Sequence, residues 1–141
     1  MKTLKYWMLI PAAFSALLIS TGVAHSQAVP IQPGFNDPLV LQGTSGGSND
    51  SGDCGMINAT ANHTITLSQQ FDYLRFTVEA SGKPTLLIEG PNRRTCVPGL
   101  PDENIEDSGL WKPGKYSIFI GDSAGGQHNY KLSITQNRRQ P

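Results

Sequence analysis

The sequence predicts an all-β domain, either an antiparallel sandwich or a barrel. Three observations support this fold class. Runs of five or six residues alternate between apolar and polar side chains, and each run is bounded by Gly, Pro, Asn or Asp. No window carries an apolar helical stripe with capping residues at both ends. Several short strands within roughly 100 residues are typical of two-layered antiparallel folds.

The chain of 141 residues begins with a pattern typical of a secretory signal peptide. Lys2 and Lys5 precede an apolar run that ends in small residues, which predicts cleavage after Ser26 or, alternatively, after Ala28. The run approaches the ~20 residues that a spanning helix needs, so an uncleaved membrane anchor is the alternative. With residues 1–26 removed, the rest suffices for one domain, secreted or periplasmic, with no further membrane span.

The charge balance argues against nucleic-acid binding. Eleven basic and eleven acidic residues give a net charge of zero. Loss of Lys2 and Lys5 leaves nine basic residues against eleven acidic ones, without a basic stripe. The basic tail 137–141 is too short to change this, and we expect it to be solvated.

The two cysteines, Cys54 and Cys96, predict one structural disulfide bond. A metal site or a redox pair is the alternative. Neither fits well, because the chain has no Cys-x-x-Cys spacing and its histidines lie at no helpful spacing for zinc.

The element pattern divides the exported part into three segments. Residues 27–53 are rich in Gly, Pro and Ser, include one short strand candidate at 39–41, and are expected to form a lead-in. Residues 54–136 are expected to form the β domain. Within it the alternating runs are 63–67, 71–79, 85–89, 116–120 and 130–135.

The segment Gly121-Asp122-Ser123-Ala124-Gly125-Gly126 resembles the box around a serine-protease nucleophile, so Ser123 and His128 form a candidate hydrolase pair. Ala124 separates the serine from the glycines, and the segment lies between two strands. We therefore predict a hairpin connection, no catalytic residues and no enzyme activity.

An acidic segment after Cys96 is the candidate metal site. Calcium prefers six to eight oxygen ligands, and five oxygen-bearing side chains fall close together here. They are Asp102, Glu103, Asn104, Glu106 and Asp107. The segment lacks the spacing of an EF-hand loop, so a solvated acidic loop without a cofactor is favoured over calcium.

Two further groups of residues are candidate binding features. Tyr73, Trp111, Tyr116 and Tyr130 are candidates for a carbohydrate platform, although aromatic residues in strands more often pack in a core. Asn49, Asn58 and Asn62 begin glycosylation sequons, which matter only in a eukaryotic source.

The order of these motifs resembles that of the bacterial pre-peptidase C-terminal (PPC) domains, in a stand-alone form. The matching segments are 33–35, 43–47, 54–55, 71–78, 84–91, 109–116, 118–121 and 130–134. The resemblance implies an exported, jelly-roll-like β-sandwich, and we expect about eight short strands. It also implies a non-catalytic domain of the kind appended to extracellular proteases.

One position departs from that pattern. Relatives follow the cysteine with paired aspartates that are associated with calcium in some members, whereas this chain has Pro98 and Gly99. We therefore expect calcium binding to be weak at most. The function expected is a binding or accessory module acting on a protein or polysaccharide surface. The alternatives are a structural component of an envelope or extracellular assembly and, last, a hydrolase using Ser123 and His128.

Overall fold

The computed structural model describes residues 27–139. The signal peptide expected at 1–26 lies outside the described residues, as do the last two residues of the tail. Within 27–139, no helix is present that has the length and apolar character needed to cross a membrane.

Eleven strands form two sheets that enclose one core. In chain order they are β1 (Val29–Ile31), β2 (Leu39–Thr44), β3 (Asn49–Asp50), β4 (Met56–Ile57), β5 (His63–Leu67), β6 (Phe71–Ala80), β7 (Pro84–Gly90), β8 (Arg93–Pro98), β9 (Ile105–Trp111), β10 (Gly114–Asp122) and β11 (Asn129–Thr135). The larger sheet has seven strands, with β10 at its centre between β5 and β4 on one side and β7 and β8 on the other. The smaller sheet has the order β2-β11-β6-β9.

The predicted fold class is confirmed: the protein is an antiparallel β-sandwich whose one parallel pairing joins β1 to β5. The described residues form eleven strands rather than about eight, because β1, β3 and β4 have only two or three residues each. Strands this short leave no alternating pattern in a sequence. Three of the strands come from residues 27–53, and β1 and β2 lie in different sheets.

The core lies between the sheets and is built by alternation along the long strands. Leu74, Phe76 and Val78 of β6 face Tyr116, Ile118 and Ile120 of β10, and all six are at most 2 % exposed. Trp111 packs against Phe76 and Tyr116, with ring centroids 4.5 and 5.3 Å apart. The indole N–H donates to the Leu74 carbonyl, which satisfies its buried polar atom.

The alternation of β6 is interrupted near its start. The pattern placed Phe71 on the same side as Tyr73, which is wrong, because Phe71 is buried with Leu74. The register with β9 shifts between Phe71 and Leu74, and this irregularity adds one residue to the strand. The bulge turns Phe71 towards the core, whereas Tyr73 and Arg75 lie on the outer face of the smaller sheet, as their alternation with Leu74 and Phe76 predicts.

The predicted disulfide between Cys54 and Cys96 is confirmed. It joins the loop before β4 to β8, and the Thr85 hydroxyl donates to the Cys54 carbonyl 2.6 Å away. Beside it, Arg94 donates two hydrogen bonds to the Asp53 carboxylate, at 2.7 and 2.8 Å. The bridge therefore fixes an otherwise irregular loop against the larger sheet.

Candidate functional site

The segment that resembles a protease box is a connection between the two sheets. It joins β10 of the larger sheet to β11 of the smaller one, so the predicted hairpin is wrong. Two strands joined by a glycine-rich turn are compatible with both arrangements, and only long-range pairing distinguishes them. We call this end of the sandwich the turn end.

Asp122 organises the turn end. Its carboxylate is fully buried and accepts hydrogen bonds from the backbone N–H groups of Ala124, Gly126 and Lys83, at 2.8, 3.2 and 3.2 Å. Lys83 belongs to the turn between β6 and β7, so one side chain holds two turns together. The role of Asp122 is thus structural, and the sequence pattern did not single it out.

Ser123 and His128 are not arranged as a nucleophile and its base. The Ser123 hydroxyl and N–H both approach the Lys83 carbonyl, at 3.4 and 2.9 Å. The His128 Nε2 lies 3.9 Å from the Asp122 carboxylate. No hydrogen bond joins Ser123 to His128 within residues 27–139, and Ser123 is exposed.

The five candidate calcium ligands are not grouped around one point. The Asp102 carboxylate accepts from the Gly82 N–H at 3.2 Å, while Glu103 and Asn104 are exposed. Glu106 and Asp107 are successive residues of β9 and so point to opposite faces of the sheet. The part of the chain that the structure describes contains no group of three or more His, Cys, Asp or Glu side chains arranged to hold a metal ion.

Asp107 is used to close an edge of the sandwich. It accepts a hydrogen bond at 3.0 Å from Arg93 of β8, whose guanidinium lies 3.8 Å from the centre of the Trp111 ring. Because β8 and β9 are edge strands of different sheets, this arginine covers the gap between them.

Gly99 lies where the resemblance places an aspartate. A Cβ at this position would lie 2.5 Å from the Ile105 Cγ2 and 2.6 Å from the Pro84 carbonyl oxygen. The Gly99 N–H donates to that same carbonyl. The backbone therefore approaches too closely here for any side chain, let alone a metal-binding carboxylate.

Three of the four candidate platform aromatics belong to the core. Trp111, Tyr116 and Tyr130 are 0, 2 and 4 % exposed. Tyr130 lies against Gly43, and its hydroxyl is 2.6 Å from the His63 Nε2. Only Tyr73 is partly exposed on an outer face.

The sequon residues differ in their surroundings. Asn62 joins the two sheets: its amide donates to the Thr44 carbonyl at 3.1 Å, and its carbonyl oxygen accepts from the Ile120 N–H at 3.0 Å. Asn49 is exposed and Asn58 is half-buried. Asn62 therefore has a structural role.

Tyr73 lies in a shallow groove of about 630 Å³ at the end opposite the turn end. We call this feature the polar groove. Its lining combines the aromatic side chains of Phe71 and Tyr73 with several amides and two charged groups. The lining residues are Pro33, Gln69, Gln70, Phe71, Asp72, Tyr73, Gln136, Asn137 and Arg138.

Three separate parts of the chain build the polar groove. The loop between β1 and β2 supplies Pro33, the continuous stretch 69–73 at the start of β6 supplies five residues, and the chain after β11 supplies residues 136–138. Asp37 anchors the last part, because its carboxylate accepts from the Thr135 hydroxyl and, at 2.9 Å, from the Gln136 N–H. The beginning of the tail is therefore held against the sheet.

The tail was expected to be solvated, but its described residues make specific contacts. The Arg138 guanidinium lies 4.4 Å from the centre of the Tyr73 ring. Arg139 donates to Glu106 at 2.9 Å. Both side chains are exposed, but each has a partner on the outer face of the smaller sheet.

The amides of the polar groove retain most of their hydrogen-bonding capacity. Gln70 donates to Asp72 at 3.2 Å. The side chains of Gln69, Gln136 and Asn137 are exposed, and no other side chain or backbone group within residues 27–139 hydrogen-bonds to them. An amide offers two donors and an acceptor, so the groove presents paired donors and acceptors beside an aromatic ring.

A second cavity, of about 360 Å³, lies between Pro91, Leu110 and Lys112. Two of its polar side chains are already engaged, because Tyr116 donates to the Lys112 carbonyl at 2.8 Å and Arg93 binds Asp107. This cavity is more enclosed than the polar groove, but it offers fewer free polar groups to a ligand.

Sequence reasoning missed the polar groove except for Tyr73. The available signal was the amide-rich composition of two short segments, Gln69-Gln70 and Gln136-Asn137. These segments are separated by more than sixty positions in the chain, so only the fold shows that they share one surface.

Comparison with known proteins places the chain in a family. No protein-family model matches it. The chain is 37 % identical over 134 residues to an uncharacterized protein of Synechococcus elongatus, and the alignment covers 92 % of this chain and 96 % of that protein. The chain belongs to the family of this cyanobacterial protein.

Solved structures identify the fold of this family member. The pre-peptidase C-terminal domain of a collagenase from Bacillus anthracis aligns with a TM-score of 0.50 and 18 % identity, over 79 % of this chain and 97 % of that domain. A ruminal GH26 endo-β-1,4-mannanase aligns with a TM-score of 0.39 and 10 % identity, over 66 % of this chain and 21 % of that one. The first alignment shows that the chain has a PPC-like fold, as the sequence predicted.

Proposed function

We propose that the protein is an exported, non-catalytic module that binds a polysaccharide in the polar groove. The observation that carries the proposal is the concentration of exposed amide groups around the partly exposed Tyr73 ring. Sugar hydroxyls need paired donors and acceptors, which amides supply. The apolar face of a sugar ring packs against an aromatic ring.

The surface composition favours a polysaccharide over a protein partner. Protein interfaces are centred on buried apolar and aromatic anchors. The large apolar side chains exposed among residues 27–139 are Val40, Leu100 and Leu110. Val40 and Leu110 lie on opposite edge strands of the smaller sheet, so they do not form one patch.

Two further observations support the export and the accessory role. The Cys54–Cys96 bond fits an oxidising compartment. The resemblance to PPC domains, which are appended to extracellular enzymes, implies an accessory role without catalysis of its own. Fold alone does not establish function, so the experiment addresses the groove directly.

The test is native affinity electrophoresis in gels that contain dextran, mannan, xylan or polygalacturonate. We expect at least one polymer to retard the wild-type protein without being hydrolysed. Tyr73→Ala removes the ring and should weaken that binding by about tenfold, while Tyr73→Phe keeps the ring and most of the affinity.

The matched control uses two glutamines in similar, exposed positions. Gln136 lies in the polar groove, so Gln136→Ala should weaken polysaccharide binding. Gln127 lies at the turn end, so Gln127→Ala should have no effect on that binding. The proposal would be contradicted if no polymer changed the mobility of the wild-type protein. It would also be contradicted if the two glutamine substitutions had equal effects on binding.

A further inference from the structure

Three arginines lie side by side at the edge of the polar groove. Arg75 follows Tyr73 by two residues on the same face of β6, and Arg138 stacks on Tyr73. The Arg75 Nε and the Arg139 Nη2 approach one carboxylate oxygen, the Glu106 Oε2, at 4.0 and 2.9 Å. We call Arg75, Arg138 and Arg139 the arginine patch.

The arginine patch carries more positive charge than its surroundings neutralise. Within residues 27–139, Glu106 is the one carboxylate at ion-pair distance from any of the three. One carboxylate against three guanidinium groups leaves an excess of two positive charges. The arginines of β8 differ, because Arg93 pairs with Asp107 and Arg94 pairs with both Asp53 and Glu89.

Arg75 has hydrogen-bonding capacity that the described chain does not use. Its side chain is only 16 % exposed, and its Nε and Nη1 have no hydrogen-bond partner within residues 27–139. Buried N–H groups are nearly always paired, and a guanidinium prefers a planar anion that can accept two bonds. These two Arg75 atoms are themselves covered, so the exposed guanidinium groups of Arg138 and Arg139 are the ones that face a ligand carboxylate beside Tyr73.

We propose that the arginine patch makes the polar groove selective for polysaccharides that carry carboxylates, namely polymers of uronic acids. This inference rests on the proposed function and names the ligand class of the same site. A uronate carries its carboxylate directly on the edge of the sugar ring. Residues two apart on a strand are separated by about 7 Å, and the Arg138 guanidinium lies over the Tyr73 ring, so a sugar bound beside this pair would place its carboxylate within reach of the arginine patch.

Polygalacturonate, neutral dextran and dextran sulfate are the probes, each tested by affinity electrophoresis and titration calorimetry. We expect binding to polygalacturonate and little binding to dextran. Raising the ionic strength from about 0.05 M to about 0.3 M shortens the Debye length and should weaken the polygalacturonate complex several-fold.

Charge substitutions give effects of opposite sign. Arg138→Gln and Arg139→Gln should each weaken polygalacturonate binding by about fivefold, the loss expected for one charge-assisted contact near the surface. Glu106→Gln removes the competing carboxylate and should strengthen binding by about threefold. Arg94→Gln removes the same charge from the other sheet and should leave binding unchanged.

The outcomes separate this inference from the proposed function. Equal binding of dextran and polygalacturonate, with no effect of Glu106→Gln, would overturn the selectivity and leave the groove as a polysaccharide site. Preference for dextran sulfate would overturn the assignment to carboxylates. Failure of every polysaccharide to bind would overturn both proposals. Arg138→Gln and Arg139→Gln provide the test because both side chains are exposed, so neither substitution disturbs the core.

Discussion

The two ends of the sandwich use polar side chains in opposite ways. At the turn end, the fully buried Asp122 carboxylate accepts three backbone hydrogen bonds. In the polar groove, Gln69, Gln136 and Asn137 are exposed and bind no group in the described chain through their side chains. The first arrangement satisfies its polar groups internally, and the second keeps them available.

Several glycines of the turn end are closely packed, although Gly125 is not. At the turn end, a Cβ on Gly55 would lie 2.6 Å from the Asp122 carbonyl oxygen. Gly34, which lies near the groove, has open space around it. Substitutions at the turn end should therefore affect stability, whereas substitutions in the groove should affect binding.

The largest effect on stability is expected from removing the disulfide that ties the loop of the turn end to β8. Replacing both cysteines by serine opens the loop between Cys54 and Cys96, which have a sequence separation of 42. In the chain-entropy model this lowers the free energy of unfolding by about 4 kcal/mol. Urea unfolding of the double variant measures the change, and a loss below about 1 kcal/mol would show that the unfolded chain is not restricted by the bridge.

Asp122→Ala should have the next largest effect. The substitution leaves three backbone N–H groups without their acceptor, which should lower the free energy of unfolding by about 3 kcal/mol. Asp72→Ala in the polar groove removes one exposed hydrogen bond to Gln70 and should cost less than about 0.5 kcal/mol. Similar losses in the two variants would contradict the contrast between the ends.

The sequence was sufficient to predict β5, β6, β7, β10, β11 and much of the core because these depend on local alternation, whereas β8 and β9 lack a regular alternation and were missed. Leu74, Phe76 and Val78 alternate with polar residues, and all three are buried. The disulfide could be predicted because only two cysteines exist. The connection from β10 to β11 could not, because a crossing between sheets and a hairpin have the same local sequence signals.

The polar groove could not be predicted from local sequence patterns, for a different reason. Phe71 lies in the core beside the outward-facing Tyr73 because a bulge adds one residue to β6 between Phe71 and Leu74, and a bulge is defined by pairing with β9. The tail lies against the sheet because Asp37, almost a hundred positions earlier, binds Thr135 and the Gln136 N–H. Contacts of this range leave no periodic signal in the sequence.

The pair of His63 and Tyr130 should make stability depend on pH. Burial lowers the pKa of His63 below its ordinary 6.5 and raises the pKa of Tyr130 to about 12. Below pH 6.5 the unfolded chain takes up the histidine proton first, so stability falls as the pH decreases. Above pH 10 the unfolded chain loses the tyrosine proton first, so stability falls as the pH rises towards about 12.

Two substitutions separate these contributions from those of other titrating groups. His63→Gln should flatten the acid side of the stability profile, and Tyr130→Phe should flatten the alkaline side. Urea unfolding across both pH ranges measures the profiles. If the stability profiles of both variants were parallel to that of the wild type, the pKa values of His63 and Tyr130 would not differ between the folded and the unfolded chain.

The smallest effect on stability is expected in the polar groove itself. The double variant Gln69→Ala and Gln136→Ala removes two exposed amides with no partner in the described chain, so the free energy of unfolding should change by less than about 0.5 kcal/mol. The same variant should lose most of its affinity for the polysaccharide that retards the wild type. A stability loss comparable to that of Asp122→Ala would mean that these amides hold the fold, as the polar groups of the turn end do. Unchanged stability with lost binding is the combination that only a ligand site produces.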